Sequence, residues 1–208
     1  MRTDGRKSNQ IRPIKLSAEI LRYSEGSVQI NMGHTKVICS ASVDEVIPKW
    51  LAGSGKGWVT AEYGMLPRST HTRIKRDRAI NSGRSQEISR LIGRSLRAAV
   101  DLEAIGERQI YIDCDVIQAD GGTRTAAITG GFVALALALN FLKQQALIKT
   151  MPLKNYISAI SVGLKPEQAI LDLNYDEDSS VETDMNFVMT NKMEFIEIQG
   201  TAEGASFN

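Results

Sequence analysis

The segment Asp120-Gly121-Gly122-Thr123-Arg124-Thr125 carries the most specific chemical signal in this chain of 208 residues. It follows an alternating stretch, Gln109 to Gln118, and precedes a long apolar run, so the pattern predicts a strand, a glycine turn and a helix start. The first N–H groups of a helix have no intrahelical acceptor, and together with the helix dipole they favour an anion. Glycines let the backbone approach it closely, Thr123 adds a hydroxyl, and Arg124 can grip two oxygens at once. A glycine turn with a capping threonine is by itself an ordinary way to start a helix. Arg124 shifts the reading towards an anion site, because a cation there opposes the dipole unless an anion offsets it. The segment has neither the GKS/T of a Walker A loop nor a GxGxxG, so nucleotide sites built on those lose support.

Charge is divided along the chain although the net charge is only +1. Nine Lys or Arg and two acids lie between Arg68 and Arg97, whereas nine acids and a single Lys192 lie between Asp172 and Glu203. Arg68, Arg73, Lys75, Arg76 and Arg78 fall in a stretch without periodicity, read as an exposed loop, and Arg84 sits where it meets a helix. No aromatic residue interrupts this basic stretch, so contact with phosphates rather than base stacking is the expected mode. Arg84 differs from its neighbours, since it can converge on the same anion as Arg124. Arg90 and Arg97 read as solvated or ion-paired residues of a helix face. In the acidic half, Asp172 to Asp178 and then Asp184 suit a divalent cation or a general acid with a raised pKa. Asp176, Glu177 and Glu182 read as solvated turn acids, Asp178 and Asp184 as the functional pair. His34 and His71 lie far apart without a triad-like partner and read as surface residues.

These residues need elements to hold them. Strands are expected between Pro13 and Val46, with a turn at Asn31 to His34, and again through Trp58 to Tyr63. Ile88, Leu91, Ile92 and Ala99 give a helical stripe over Glu87 to Ala104, with Ser85 as N-cap and Gly106 ending the element. A second, nearly all-apolar helix runs from the Gly121-Gly122 turn to about Gln144, and strands follow at 157–162, 169–173, 186–190 and 193–198. The order predicts an α+β fold in which two helices cover one face of a mixed sheet. Residues 1–208 read as a single domain. The apolar run from Ala126 is too short and too interrupted to span a bilayer comfortably, and the charged N-terminus is unlike a signal peptide. Cys39 and Cys114 suit buried positions in a reducing compartment, so the expected location is the cytoplasm.

Several long blocks together resemble the ribonuclease PH family of phosphorolytic 3′→5′ exoribonucleases. They include Arg2-Thr3-Asp4-Gly5-Arg6, Gly57 to Pro67, Glu87 to Arg97, Asp113 to Thr125, Leu171-Asp172-Leu173, Asp184-Met185-Asn186 and Gln199-Gly200-Thr201. The resemblance implies a tRNA nucleotidyltransferase that trims tRNA precursors, with inorganic phosphate as co-substrate, Mg²⁺ as cofactor and a homohexameric ring as its assembly. It places the phosphate on Arg84, Gly122, Thr123 and Arg124, the catalytic and metal-holding carboxylates at Asp178 and Asp184, and RNA guidance on Arg68, Arg73 and Arg76. Family members continue into a further helix beyond the point where this sequence ends at Phe207-Asn208, so the domain is expected to lack it. The rival class is a non-catalytic RNA-binding ring subunit of the exosome-core type. Such a subunit keeps the basic loop and loses the phosphate turn or the aspartates.

Overall fold

Alternation decides the strands, and the computed structural model, which describes residues 2–76, 82–165 and 168–202, shows where their apolar faces go. Strands β1 (Ile14–Ala18), β2 (Gly26–Met32), β3 (Thr35–Asp44), β4 (Trp58–Met65) and β5 (Gln109–Gln118) form one sheet, ordered β1-β2-β3-β5-β4. β4 runs parallel to β5 and the other pairings are antiparallel, so the sheet is mixed. Ile110, Ile112, Cys114 and Val116 of β5 face inward, as their period of two requires. The turn between β2 and β3 falls at Gly33-His34, where Gly33 takes a φ of 57°.

Helix α1 (Gly83–Ala99) and the short α2 (Leu102–Ile105) connect β4 to β5. α1 starts earlier than its apolar stripe indicates, because Ser82 rather than Ser85 is the N-cap and accepts the Ser85 N–H. Its end is also earlier. Val100 turns extended and bridges to Leu153, after which the Asp101 carboxylate caps α2 and Gly106 closes it. The single helix expected over Glu87 to Ala104 is thus two helices, with the break at Val100-Asp101.

Helix α3 (Thr123–Gln144) corrects the expectation of a single sheet. The α+β class and the mixed sheet hold, but β6 (Ile157–Lys165), β7 (Gln168–Leu171), β8 (Thr183–Thr190) and β9 (Phe195–Ala202) form a second, antiparallel sheet, ordered β7-β6-β8-β9. α3 lies between the sheets, against β2, β3 and β5 on one side and β6 and β8 on the other. Ala126, Ala127, Ile128, Leu135, Ala138 and Leu139 are fully buried, so apolar side chains are needed nearly all round it. Among the described residues it is the one helix long and apolar enough to cross a membrane, and 67% of its most apolar window is buried inside the protein. A one-turn helix, α4 (Tyr175–Asp178), follows β7 and has no counterpart in the sequence reading. Arg78 of the basic loop and the segment from Glu203 to Asn208 lie outside the described residues.

Candidate active site

The N-terminus of α3 has no side-chain cap. Its N-cap is Gly122, in the left-handed region at φ 66°, ψ 26°, and no acid occupies the first turn. The N–H groups of the first turn therefore lack both an intrahelical acceptor and a side-chain one. Gly121 is left-handed too, and a Cβ there would stand 2.4 Å from the Leu173 carbonyl oxygen, so the turn seats directly on the backbone that leads to α4. Thr123 is buried, and its Oγ1 accepts the phenol of Tyr63 at 2.9 Å. Burial pushes the Tyr63 phenol above its ordinary pKa, so it keeps its proton and donates it. The Thr123 hydroxyl proton is thereby left free to point at an anion. Tyr63 is a member of the site that the sequence reading did not pick out, and its β-strand position gave no sign of it.

Two arginines from different helices face the same space. Arg84 enters from the first turn of α1 and makes no ion pair among the described residues. Arg124 is held from behind: its Nη1 donates to Gln199 Oε1 at 3.2 Å and lies 3.6 Å from Glu87 Oε1. Glu87, five residues into α1 and outside its first turn, thus offsets part of the charge that Arg124 brings to a helix start.

The carboxylates come from the second sheet. α4 is fixed by a capping box in which the Asn174 side chain accepts the Glu177 N–H at 3.0 Å and Glu177 Oε2 accepts the Asn174 N–H at 3.1 Å. That turn presents Asp178, and Asp184 stands opposite Gly163 near the start of β8. Arg84, Gly122, Thr123, Arg124, Asp178 and Asp184 all line one cavity of about 570 Å³. Asp178 opens onto this cavity, yet crowding by protein atoms and the nearby charge of Asp184 push its carboxyl above the ordinary range, while Arg84, Arg124 and Arg12 pull it down. A cation beside the pair would offset the Asp184 charge that Asp178 meets, and carboxylate oxygens suit a hard one. Among the described residues no group of three or more His, Cys, Asp or Glu could hold a metal, so an ion here needs water or substrate oxygens to complete its shell.

The basic loop is placed differently. Arg68, Arg73 and Arg76 are exposed and none lines the main cavity. Arg68 donates to the Thr70 and His71 carbonyls of its own loop. Arg73 lines an adjoining pocket of about 500 Å³ that shares Arg84 with the cavity. The basic stretch itself holds no Phe, Trp or Tyr, but a ring from another element lies against it. Tyr175 of α4 brings its ring to 5.4 Å from that of His71, and both line the cavity. The pair joins distant segments, so no local pattern reveals it.

Glu177 is the other correction. It is not a solvated turn acid but buried, accepting Arg2 Nε and Nη2 at 2.7 Å each. Asp172, fully buried, accepts Arg12 at three atoms, the backbone N (2.7 Å), Nε (3.0 Å) and Nη2 (2.6 Å), and Arg6 Nη1 at 3.2 Å. Burial alone would raise both carboxyls, but these hydrogen bonds and charges outweigh it and hold them below the ordinary range. Elsewhere Arg94 forms a two-point ion pair with Glu197 (2.6 and 2.8 Å), and Arg97 lies 4.3 Å over the Trp58 ring.

The profile described as 3′ exoribonuclease family, domain 1, matches residues 10–139, and that of domain 2 matches residues 155–208. The chain belongs to the 3′ exoribonuclease family. A relative named ribonuclease PH, from Bdellovibrio bacteriovorus, is 64% identical over 207 residues, covering 100% of this chain and 85% of the relative. Among solved structures, one described as the Archaeoglobus fulgidus exosome with RNA bound to the active site superposes with a TM-score of 0.82 at 18% identity, over 99% of this chain and 84% of that one. Rice Rrp46 gives 0.75 at 21% identity, over 99% and 87%. Those two likenesses show a shared fold. The glycine turn lies in the segment matched by the first profile and the aspartates in that matched by the second.

Proposed function

We propose that this chain is a phosphate-dependent 3′→5′ exoribonuclease, a tRNA nucleotidyltransferase that removes 3′-terminal nucleotides from tRNA precursors. One observation carries the reading: a single cavity joins an uncapped helix N-terminus, two arginines from separate helices and a pair of aspartates. Family membership supplies the reaction class. Residues 1–208 act as one catalytic unit in this reading, because the site draws on both matched segments.

Inorganic phosphate sits against the Gly122–Arg124 turn, gripped by Arg84, Arg124 and the Thr123 hydroxyl. One of its oxygens attacks the phosphorus of the last phosphodiester, and the bond to the 3′ oxygen of the penultimate ribose breaks. The products are a nucleoside diphosphate and an RNA one nucleotide shorter, whose 3′ oxygen takes up a proton. Positioning and charge neutralisation dominate such a transfer. Asp178 and Asp184 are the residues that would hold Mg²⁺, which when bound offsets charge on the reacting phosphates. Asp178, its carboxyl raised above the ordinary carboxylate range, would either share that ion or protonate the departing oxygen. The RNA enters over Arg68, Arg73 and Arg76, which meet its phosphates and read little sequence. Assembly into a homohexameric ring and a cytoplasmic location complete the reading, which keeps every member of the site that an inactive exosome-type subunit would lose.

Product chemistry tests it. With a 3′-extended tRNA and added phosphate, nucleoside diphosphates accumulate and release stops when phosphate is withdrawn. Nucleoside monophosphates formed without phosphate would make the chain a hydrolase.

A further inference from the structure

The glycine turn is held by one side chain from the N-terminal segment. Arg12 is 5% exposed and spends its donors on both halves of the site at once. Nε and Nη2 grip the Asp172 carboxylate, while Nη1 donates to the Asp120 carbonyl and Nη2 reaches the Gly121 carbonyl at 3.4 Å. Its aliphatic stem packs on Gly33, where a Cβ would come within 2.6 Å of Arg12 Cδ, so the stem has little freedom. Thr35 adds a second tie, donating its hydroxyl to the Gly121 carbonyl at 2.6 Å and accepting the Asp120 N–H at 3.0 Å.

Both ends of this connection matter. Asp172 adopts a left-handed φ of 55°, unusual for a residue with a side chain, and its N–H bonds to the Ser161 carbonyl at 2.7 Å. Two residues further, Asn174 opens the turn that ends in Asp178, and the Tyr175 N–H returns to Asp120 Oδ1 at 3.2 Å. Drawing the carbonyls of residues 120 and 121 towards Arg12 fixes the plane of the turn, which in turn sets the N–H groups beyond Gly122 facing the cavity.

We infer that Arg12, braced by Asp172, is a positioning residue for phosphate binding. It never touches the phosphate; it sets the orientation of the Gly121-Gly122 turn and so of the N–H groups that meet the phosphate. The guanidinium fork is required because lysine, whose three donors share one nitrogen, can keep the charge beside Asp172 but cannot span from it to both carbonyls. The inference rests on the anion site proposed above.

The experiment is steady-state phosphorolysis of an RNA oligonucleotide, varying phosphate and RNA separately, on the full chain carrying Arg12→Lys, Thr35→Val or Arg124→Ala. Arg12→Lys is expected to raise KM for phosphate roughly tenfold, the scale of a small misplacement, with kcat at saturating phosphate and KM for RNA close to the parent. Thr35→Val removes both of its hydrogen bonds to the turn and moves KM for phosphate in the same direction by about threefold. If Arg124→Ala raises KM for phosphate while Arg12→Lys stays within twofold of the parent, positioning by Arg12 is wrong and the anion site stands. Equal damage to both KM values and kcat, with a lowered Tm, also overturns it, because that is general loosening. Should Arg124→Ala leave phosphate KM unchanged, the anion site falls and this inference with it. Where Arg12→Lys fails to fold, Thr35→Val decides alone, and an unaltered phosphate KM rejects the inference.

Discussion

Two sets of arginines occupy this molecule within reach of each other, and they are solved oppositely. Arg2 and Arg12 are buried and saturated, their N–H groups spent on Glu177, Asp172 and backbone carbonyls. Arg84 and Arg124 line a cavity and keep donors in reserve; Arg84 has no ion pair among the described residues and Arg124 is held on one side only. The residue type is the same in both, so the distinction is whether the protein itself supplies the anion. Cations paired within the protein build the frame, and the others are the ones that the proposed function sets against phosphate.

The sharpest way to break this comparison is Arg124→Ala. Removing an unsaturated, charge-assisted clamp should lower kcat/KM for phosphate on the order of 10²–10³-fold, by analogy with lost oxyanion donors, with Tm nearly unchanged. A large loss of Tm instead would place Arg124 with the frame. Glu177→Ala should do the reverse, costing about 3 kcal/mol in a denaturant titration because it strands Arg2 without its carboxylate. Acid should expose the same frame. Asp172 and Glu177 have lowered pKa values when folded, so their contribution is complete above the ordinary carboxylate range and is lost as pH falls through that range and below it. A Tm–pH profile should drop there, and the drop should be shallower in a Glu177→Gln variant. Tyr63→Phe tests the orientation of Thr123 with a smaller effect, a rise of about fivefold in KM for phosphate. Asp178→Asn should show the smallest change in stability, a Tm rise of about 1 °C, together with near-complete loss of turnover. The rise is small because the side chain keeps contact with water, which screens its neighbours.

The sequence revealed the cavity-facing half of this contrast more readily than the frame. The Gly121-Gly122-Thr123-Arg124 segment is legible because a strand, a turn and a helix start each leave a local pattern, and the chemistry lies at their junction. β5 and α3 match their expected limits for the same reason. Glu177 is not legible, since its partner is 175 residues away in sequence and its neighbours Asp176 and Asp178 look like solvated turn acids. The division into two sheets follows from α3 being apolar on every side, a feature visible in its sequence and undervalued when helices are placed on a single face. Ser85 drew the N-cap assignment from Ser82 because both are serines three residues apart, and only the backbone at Ser82 is extended.

α3 has two occupations. Its middle is the apolar pillar between the sheets, and its first residues offer N–H groups to the cavity. On the proposed assignment a bound phosphate ion is tied to the global unfolding equilibrium, since unfolding the pillar destroys its seat. Mass action then makes the co-substrate a protectant: at a hundred times its dissociation constant it would add about 2.7 kcal/mol to the free energy of unfolding. On that assignment, the contact that serves the reaction would also protect the fold.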